Sequence, residues 1–227
     1  MDFPGSKREL VLVTWNQHVP SREELFESKR HALLTEAVSA FNERGFHATS
    51  MSELGRRLGV TKSALYYYFP SKQAILKAAF DHVIRIAFDS LERARNSDQS
   101  GIDKLELALR GYMEGALGEF SRCIILTEEH ALSDEERAAI VESRDAFESA
   151  LRELVQEGIA DGSIIPCDPK LAIFSIFGAI NWVPKWYRMD GEWTSAQVAS
   201  AVSELICRSI RANPPERFKN QDWLGIR

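Results

Sequence analysis

The stretch Ser50–Lys72, SMSELGRRLGVTKSALYYYFPSK, decides how this chain is read. Ser50 and Glu53 stand three apart, the spacing at which a hydroxyl caps a helix start and a carboxylate reaches back to the cap's own N–H. Met51, Leu54 and Leu58 recur at helical spacing and predict one buried stripe. Gly59 follows, where a left-handed C-terminal cap needs no side chain. Thr61 then caps a second helix whose Leu65 and Phe69 lie one turn apart and face inward. That leaves Lys62, Ser63, Tyr66 and Tyr67 looking outward beside the turn. Aromatic hydroxyls and a lysine on a short helix suit phosphate and base-edge contact better than they suit a core. The stretch predicts a helix-turn-helix that reads DNA.

Outward from it, helices continue in both directions. Ser21 with Glu24 makes a capping pair, and Leu33, Ala37, Ala40 and Phe41 share one face of a long helix closed by Gly45. Phe46 is expected to plug the core as the chain turns toward Ser50. Pro70 ends the recognition helix, Ser71 caps the next, and Lys72 sits in its first turn, near N–H groups that can bind phosphate. That helix runs through Ile75, Leu76, Ala79, Phe80 and Val83 to about Arg95, and Asn96–Gly101 is a polar break.

Beyond the break, Ser100 with Asp103 and Ser133 with Glu136 open further helices, the second ending at Gly158 or Gly162. Phe120–Leu126 is a more uniformly apolar, buried piece. Asp168-Pro169 is an N-cap followed by proline at the first helical position. The helix it opens is nearly all apolar until Pro184, which must kink or end it. Thr194 with Gln197 caps a last helix. No strand pattern competes, so the fold is all-α: a three-helix helix-turn-helix head plus a helical body. The expected divisions are a loose arm over 1–20, the DNA-binding domain over 21–72, a connecting helix over 73–95, the body over 96–212 and a tail over 213–227.

Composition narrows the class. The 227 residues are 44% apolar and 27% charged, an ordinary globular balance with room for a core. The net charge of −5 argues against a nucleic-acid binder, but the charge is uneven. Ser28–Lys72 holds seven Lys and Arg against three Glu, a net of +4; the remainder holds 21 basic against 30 acidic, a net of −9. A basic module on an acidic body fits a protein that offers DNA one face. Cys123, Cys167 and Cys207 lack paired spacing and read as reduced cytoplasmic thiols, neither a disulfide framework nor a zinc site. The apolar run Leu171–Val183 is too short to span a bilayer, and Leu10–Val13 does not read as a signal peptide.

An enzyme would need a constellation that is not found: no GxSxG, GxGxxG, paired CxxC or HExxH occurs. Glu128, Glu129 and His130 are consecutive and point to different faces, so no metal or other cofactor is expected. An alternative is a helical protein-interaction module built on Phe174, Phe177, Trp182 and Trp186, for which a second copy of the chain is the simplest partner. A pocket is best sought among Tyr112, Phe120, Phe147, Leu151 and Phe174.

The segment GVTKSALYYYFPSKQAIL, within a match running from Ser28 to Val83, resembles the TetR family of bacterial transcriptional regulators. The resemblance implies a homodimer that holds an operator until a small molecule binds the body, with the last two long helices packing across the dimer. It places DNA contacts at Ser50, Ser52, Thr61, Lys62, Ser63, Tyr66, Tyr67, Tyr68 and Lys72, the three tyrosines along the exposed side. Tyr68 stands where members commonly carry histidine. Arg56 and Arg57 supply phosphate charge or form a solvated face, the latter reading favoured for Arg57. The body segment FGAINWVPKWYR, Phe177–Arg188, is similar to the NWxxRWYRxxG pattern of regulators of fatty-acid, steroid or aromatic-acid degradation that sense acyl-CoA thioesters; Pro184 and Lys185 depart from it. Arg144 matches that branch too, as a holder of an anionic ligand group or as a surface ion pair. The dimer contacts implied are Phe177, Trp182, Trp186, Val202, Leu205 and Ile206. Activation without a small-molecule ligand is the alternative to repression.

Overall fold

The computed structural model describes residues 20–126 and 131–214, so the readings made on residues 1–19, 127–130 and 215–227 lie outside the described residues. Nine helices stand among the described residues: α1 (Arg22–Arg44), α2 (Met51–Arg57), α3 (Lys62–Tyr68), α4 (Lys72–Arg95), α5 (Gly101–Ala116), α6 (Glu119–Leu126), α7 (Asp134–Ala160), α8 (Pro169–Trp186) and α9 (Ser195–Arg208). The one extended pairing among them is an isolated antiparallel bridge between Ile164 and Arg211.

Most helix starts are fixed by the residues the sequence places there. Capping boxes open α1 at Ser21 and Glu24, α7 at Ser133 and Glu136, and α9 at Thr194 and Gln197. Each satisfies two backbone or side-chain partners reciprocally at an end that otherwise leaves four N–H groups unpaired. Ser71 accepts from the Ala74 N–H at 3.0 Å, and Asp168 from the Leu171 N–H at 2.9 Å with Pro169 next in line. Gly59 sits at φ +65°, a conformation that a Cβ disfavours, and it turns the chain from α2 into α3.

Two expected caps differ. Ser50 accepts from the Glu53 N–H at 3.2 Å, but the Glu53 carboxylate does not return to the cap; it pairs with Arg44 of α1. The Ser100 hydroxyl donates to Asp103 at 2.6 Å instead of capping α5. The start of α5 is capped from 60 residues away, Gly101 N–H donating to Asp161 at 2.7 Å and Ile102 N–H to the Ser163 hydroxyl at 3.2 Å. This works because α5 and α7 touch backbone to backbone. A Cβ on Gly101 would stand 2.2 Å from the Gly158 nitrogen. Gly158 therefore lies inside α7, which ends instead before Gly162.

Two cores are strung on α4. Its first half supplies Ile75, Leu76, Ala79 and Phe80 to a head core with Leu34, Ala37, Phe41, Phe46, Leu54, Leu65 and Phe69. Its second half supplies Ala87, Leu91 and Ala94 to a body core built from α5, α7, α8 and α9. The head core also takes Cys123 of α6, Leu132 and Ile140 of α7, so the body grips the head through α6 and the start of α7. α6 is less uniformly buried than its composition implied: Ser121 and Cys123 are inside while Glu119 and Arg122 are exposed. Pro184 falls in the last turn of α8, and the helix stops two residues later.

Candidate nucleic-acid interface

A seven-residue helix has little stability of its own, so α3 is shaped by what it rests on. Thr61 caps it by accepting from the Ala64 N–H at 3.1 Å. Leu65 and Phe69 are fully buried beneath it. The opposite side presents Thr61, Lys62, Ser63, Tyr66 and Tyr67 to solvent, with the Lys62 ammonium 5.7 Å from the Tyr66 ring centre. Tyr67 is 67% exposed. Ser50, at the cap of α2, and Ser52, in its first turn, are exposed as well.

Two residues of the expected DNA set are placed differently. Tyr68 does not share the exposed side. One residue advances a helix by about 100°, which swings Tyr68 against α1, where it stacks on Phe26 at 5.0 Å and joins the edge of the head core. Lys72 turns its ammonium inward, donating to the Phe46 carbonyl at 2.6 Å and to the His47 carbonyl at 3.4 Å, 4.4 Å from the Phe46 ring centre. Partial burial lowers its pKa. It ties the α1–α2 turn to the start of α4.

Arg57 is not a loosely solvated side chain. Its guanidinium bonds Glu36 and reaches both carboxylate oxygens of Glu43 at 2.5 and 2.7 Å, both on α1. Hydrogen bonds from Glu43 and then Glu36 raise its already high pKa. Arg56 points away, its side chain 79% exposed. The cations left facing outward beside the turn are Lys62 and Arg56.

In the body, Tyr112 lies 5.3 Å from Phe147 and 5.7 Å from Phe177, and Phe147 is 5.6 Å from Phe88, all between ring centres. Burial raises the Tyr112 pKa, and the positive charge of Arg144 opposes the rise. Leu151 is fully buried in the same core. Phe120 and Phe174 do not join them. Phe120 belongs to the head side, 4.3 Å from His82 of α4 and 6.2 Å from His31 of α1. Phe174 is 51% exposed on the outer face of α8. Phe177, expected on that outer face, packs inward. The two phenylalanines have exchanged places, inside for outside, because the inward stripe of α8 runs through Ile173, Ile176, Ile180 and Val183 and carries Phe177 on its flank.

The outer face left behind is apolar: Leu171, Phe174, Trp182 and Trp186 of α8, with Leu205 of α9. Trp186, Trp193, Val202 and Leu205 border a shallow apolar groove between these helices. Val202 and Ile206 are half-buried and pack against the body core. A cleft of about 490 Å³ opens where the end of α5 meets the end of α8, lined by Leu117, Arg122, Pro184, Tyr187 and Arg188 among others. Arg188 holds Asp190 there through two bonds of 3.2 and 3.1 Å. Among the described residues no helix is long and apolar enough to cross a membrane, and no three His, Cys, Asp or Glu side chains converge as metal ligands would.

Sequence reasoning did not find the Arg57 clamp, the cleft, or Phe26 beneath the tyrosines. Phe26 had a readable signal, since Phe26, Arg30, Leu33 and Ala37 recur at i, i+4, i+7 and i+11 on one face of α1.

Residues 33–79 match the family described as bacterial regulatory proteins, tetR family, and residues 98–210 match a tetracyclin repressor-like C-terminal domain. The HTH-type transcriptional repressor KstR2 of Mycolicibacterium smegmatis is 24% identical over 186 residues, 81% of this chain and 91% of that protein. The fatty acid metabolism regulator protein of Bacillus subtilis is 26% identical over 181 residues, 78% of this chain and 93% of that protein. Among solved structures, the regulator PfmR from Thermus thermophilus superposes with a TM-score of 0.69 at 29% identity, covering 78% of this chain and 97% of its own. AibR in complex with isovaleryl coenzyme A and operator DNA superposes at 0.64 and 27% identity, with the same coverage of both chains.

Proposed function

The chain belongs to the TetR family of bacterial regulatory proteins, and on that premise we propose that it is a cytoplasmic, homodimeric transcriptional repressor released from its operator by an acyl-CoA thioester. The observation that carries the DNA half is the division of α3: Leu65 and Phe69 buried, Lys62, Ser63, Tyr66 and Tyr67 exposed, next to a capped helix start. Thr61, Lys62 and Ser63 meet phosphates and base edges at the N-terminus of α3, and Tyr66 and Tyr67 extend the contact along it. Ser50 and Ser52 meet the flanking backbone. Tyr68 and Lys72 serve the interface from behind, by holding α3 and the α1–α2 turn. Nothing in this scheme is catalytic; the chemistry is recognition.

The exposed α8–α9 face supplies the second half of the scheme. Its apolar residues bury against the same face of a second copy, giving an isologous dimer. Two recognition helices then enter successive major grooves roughly 34–36 Å apart, which calls for a near-palindromic operator. The aromatic interior around Tyr112, Phe147 and Phe177 would take an acyl group once its packed rings part, and Arg122 at the cleft suits a phosphate of coenzyme A, with Arg188 beside it held by Asp190. The effector shifts the heads only by its differential affinity for the two arrangements.

Fluorescence anisotropy on the DNA upstream of the protein's own gene tests both halves. Saturable binding is expected, and acyl-CoA thioesters should reverse it where the matching free acids do not. Absence of binding at low salt sinks the DNA reading; release by free acids alone sinks the thioester. Tyr67→Ala should weaken operator binding by about 1–3 kcal/mol without unfolding the protein.

A further inference from the structure

The recognition helix is held at its two ends very differently. Its start is fixed by the Thr61 cap and by packing on α2, while its last turn has no buried residue after Leu65 until the cap residue Phe69. Tyr67 and Tyr68 occupy that last turn. Both touch a single side chain from a distant part of the chain. Phe26 of α1 meets Tyr67 edge to face, ring centres 5.5 Å apart and planes at 86°, and stacks on Tyr68 at 5.0 Å and 27°. Tyr67 and Tyr68 are themselves edge to face at 5.1 Å and 83°. The three rings close a triangle in which each pair has a geometry favoured by the ring quadrupoles.

The triangle continues a stripe. One turn after Phe26, Arg30 lies over the Phe69 ring at 4.9 Å, and one turn later Leu33 enters the head core. α1 is therefore tied to the end of α3 by two successive contacts, the Phe26 rings and Arg30, before its Leu33 turns into the core. The capping box at Ser21 and Glu24 fixes the start of α1, one turn before Phe26, so the platform that carries Phe26 is defined. Tyr67 is the exposed member of the triangle and Phe26 and Tyr68 are its half-buried supports.

We infer that Phe26 is a positioning residue for DNA reading: it holds the Tyr67 ring in the rotamer that faces the groove, so that the order needed for contact is set before DNA arrives. The consequence for DNA rests on the proposed function; the ring contact does not. Preorganisation of this kind acts by removing the ordering cost of one contact side chain at binding. Having to order one such side chain at binding corresponds to a weakening of about three- to tenfold.

The test uses the full-length protein labelled with 3-fluorotyrosine, whose five tyrosines give a countable fluorine spectrum. The Tyr67 resonance is identified by its loss in Tyr67→Phe. Phe26→Ala should move it toward the position of a solvated tyrosine, with a fall in melting temperature that still leaves the protein folded at the temperature of the measurement, and Phe26→Tyr should restore it. On operator DNA, Phe26→Ala should cost about three- to tenfold in the Tyr67-containing protein and less than about twofold in a Tyr67→Ala background. An unmoved Tyr67 resonance overturns the inference, and so does an equal loss of affinity in both backgrounds. A moved resonance together with a Tyr67→Ala variant that binds DNA normally supports the ring contact and overturns the DNA-contact assignment instead.

Discussion

Two helices of this protein carry large rings into solvent, and they do so for opposite reasons. Tyr67 on α3 is 67% exposed and Trp182 on α8 is 65% exposed. Around Tyr67 stand Lys62, Ser63 and a second hydroxyl on Tyr66, groups that keep their hydrogen bonds in water and can exchange them for phosphate or base edges. Around Trp182 stand Leu171, Phe174, Trp186 and Leu205, which gain nothing from water and need apolar surface opposite. Under the proposed function, equal exposure serves two different partners, a polyanion for one helix and a second copy of the chain for the other. The lesson is that exposure locates a partner and the chemistry of the neighbours names it.

The comparison breaks first at α8. Trp182→Asp places a carboxylate in the middle of the proposed dimer face, where it would be desolvated without a partner. Light scattering should then find a monomer at micromolar concentration, and operator affinity should fall by more than about 100-fold, since two linked heads become one. A dimeric Trp182→Asp protein would remove α8 from the interface.

A subtler pair of variants separates inside from outside on the same helix. Phe177→Ala opens space beside Tyr112 and Phe147 and should cost about 2–4 kcal/mol, lowering the melting temperature at every protein concentration. Phe174→Ala should instead alter how melting depends on protein concentration, because it acts through association. The reverse pattern would restore the roles that the sequence alone suggested for these two residues.

The smallest effect is expected at the seam between the two regions. His82 of α4 lies 4.3 Å from Phe120 of α6 and 5.4 Å from His31 of α1, between ring centres. Burial first, then the charges of His31 and Arg85, lower its pKa below 6.5. Because the unfolded chain holds that proton more tightly, stability falls as pH drops through 6.5 and the loss levels off below the lowered folded value. The melting temperature should fall across this window, and His82→Asn should flatten the fall. A wild-type melting curve that does not change between pH 7.5 and 5.5 would show that the seam is indifferent to the His82 charge.

The reading of Ser50–Lys72 located the helix pair, its turn and four of the outward residues because each depends on neighbours within a turn: Thr61 on Ala64, Gly59 on its own φ, Leu65 and Phe69 on each other's spacing. The same locality explains why the caps at Ser21, Ser71, Ser133, Asp168 and Thr194 were legible. A cap bonds a backbone N–H three residues on, so sequence distance and spatial distance nearly coincide. Tyr68 and Lys72 were placed less well because their partners, Phe26 and the Phe46 carbonyl, lie 42 and 26 residues away in the chain.

What the sequence by itself determined is therefore the set of helices, their ends and the chemistry offered by the turn around Gly59. Only the tertiary structure decided which face of a nearly all-apolar helix turns inward, sending Phe177 to the core and Phe174 to solvent. It also decided that Asp161 and Ser163 cap α5, that Arg57 clamps α1, and that Phe26 stands under Tyr67. The physical reason is common to all four. Helix hydrogen bonds and caps close over three or four residues, whereas burial and ion pairing depend on which distant helix arrives alongside.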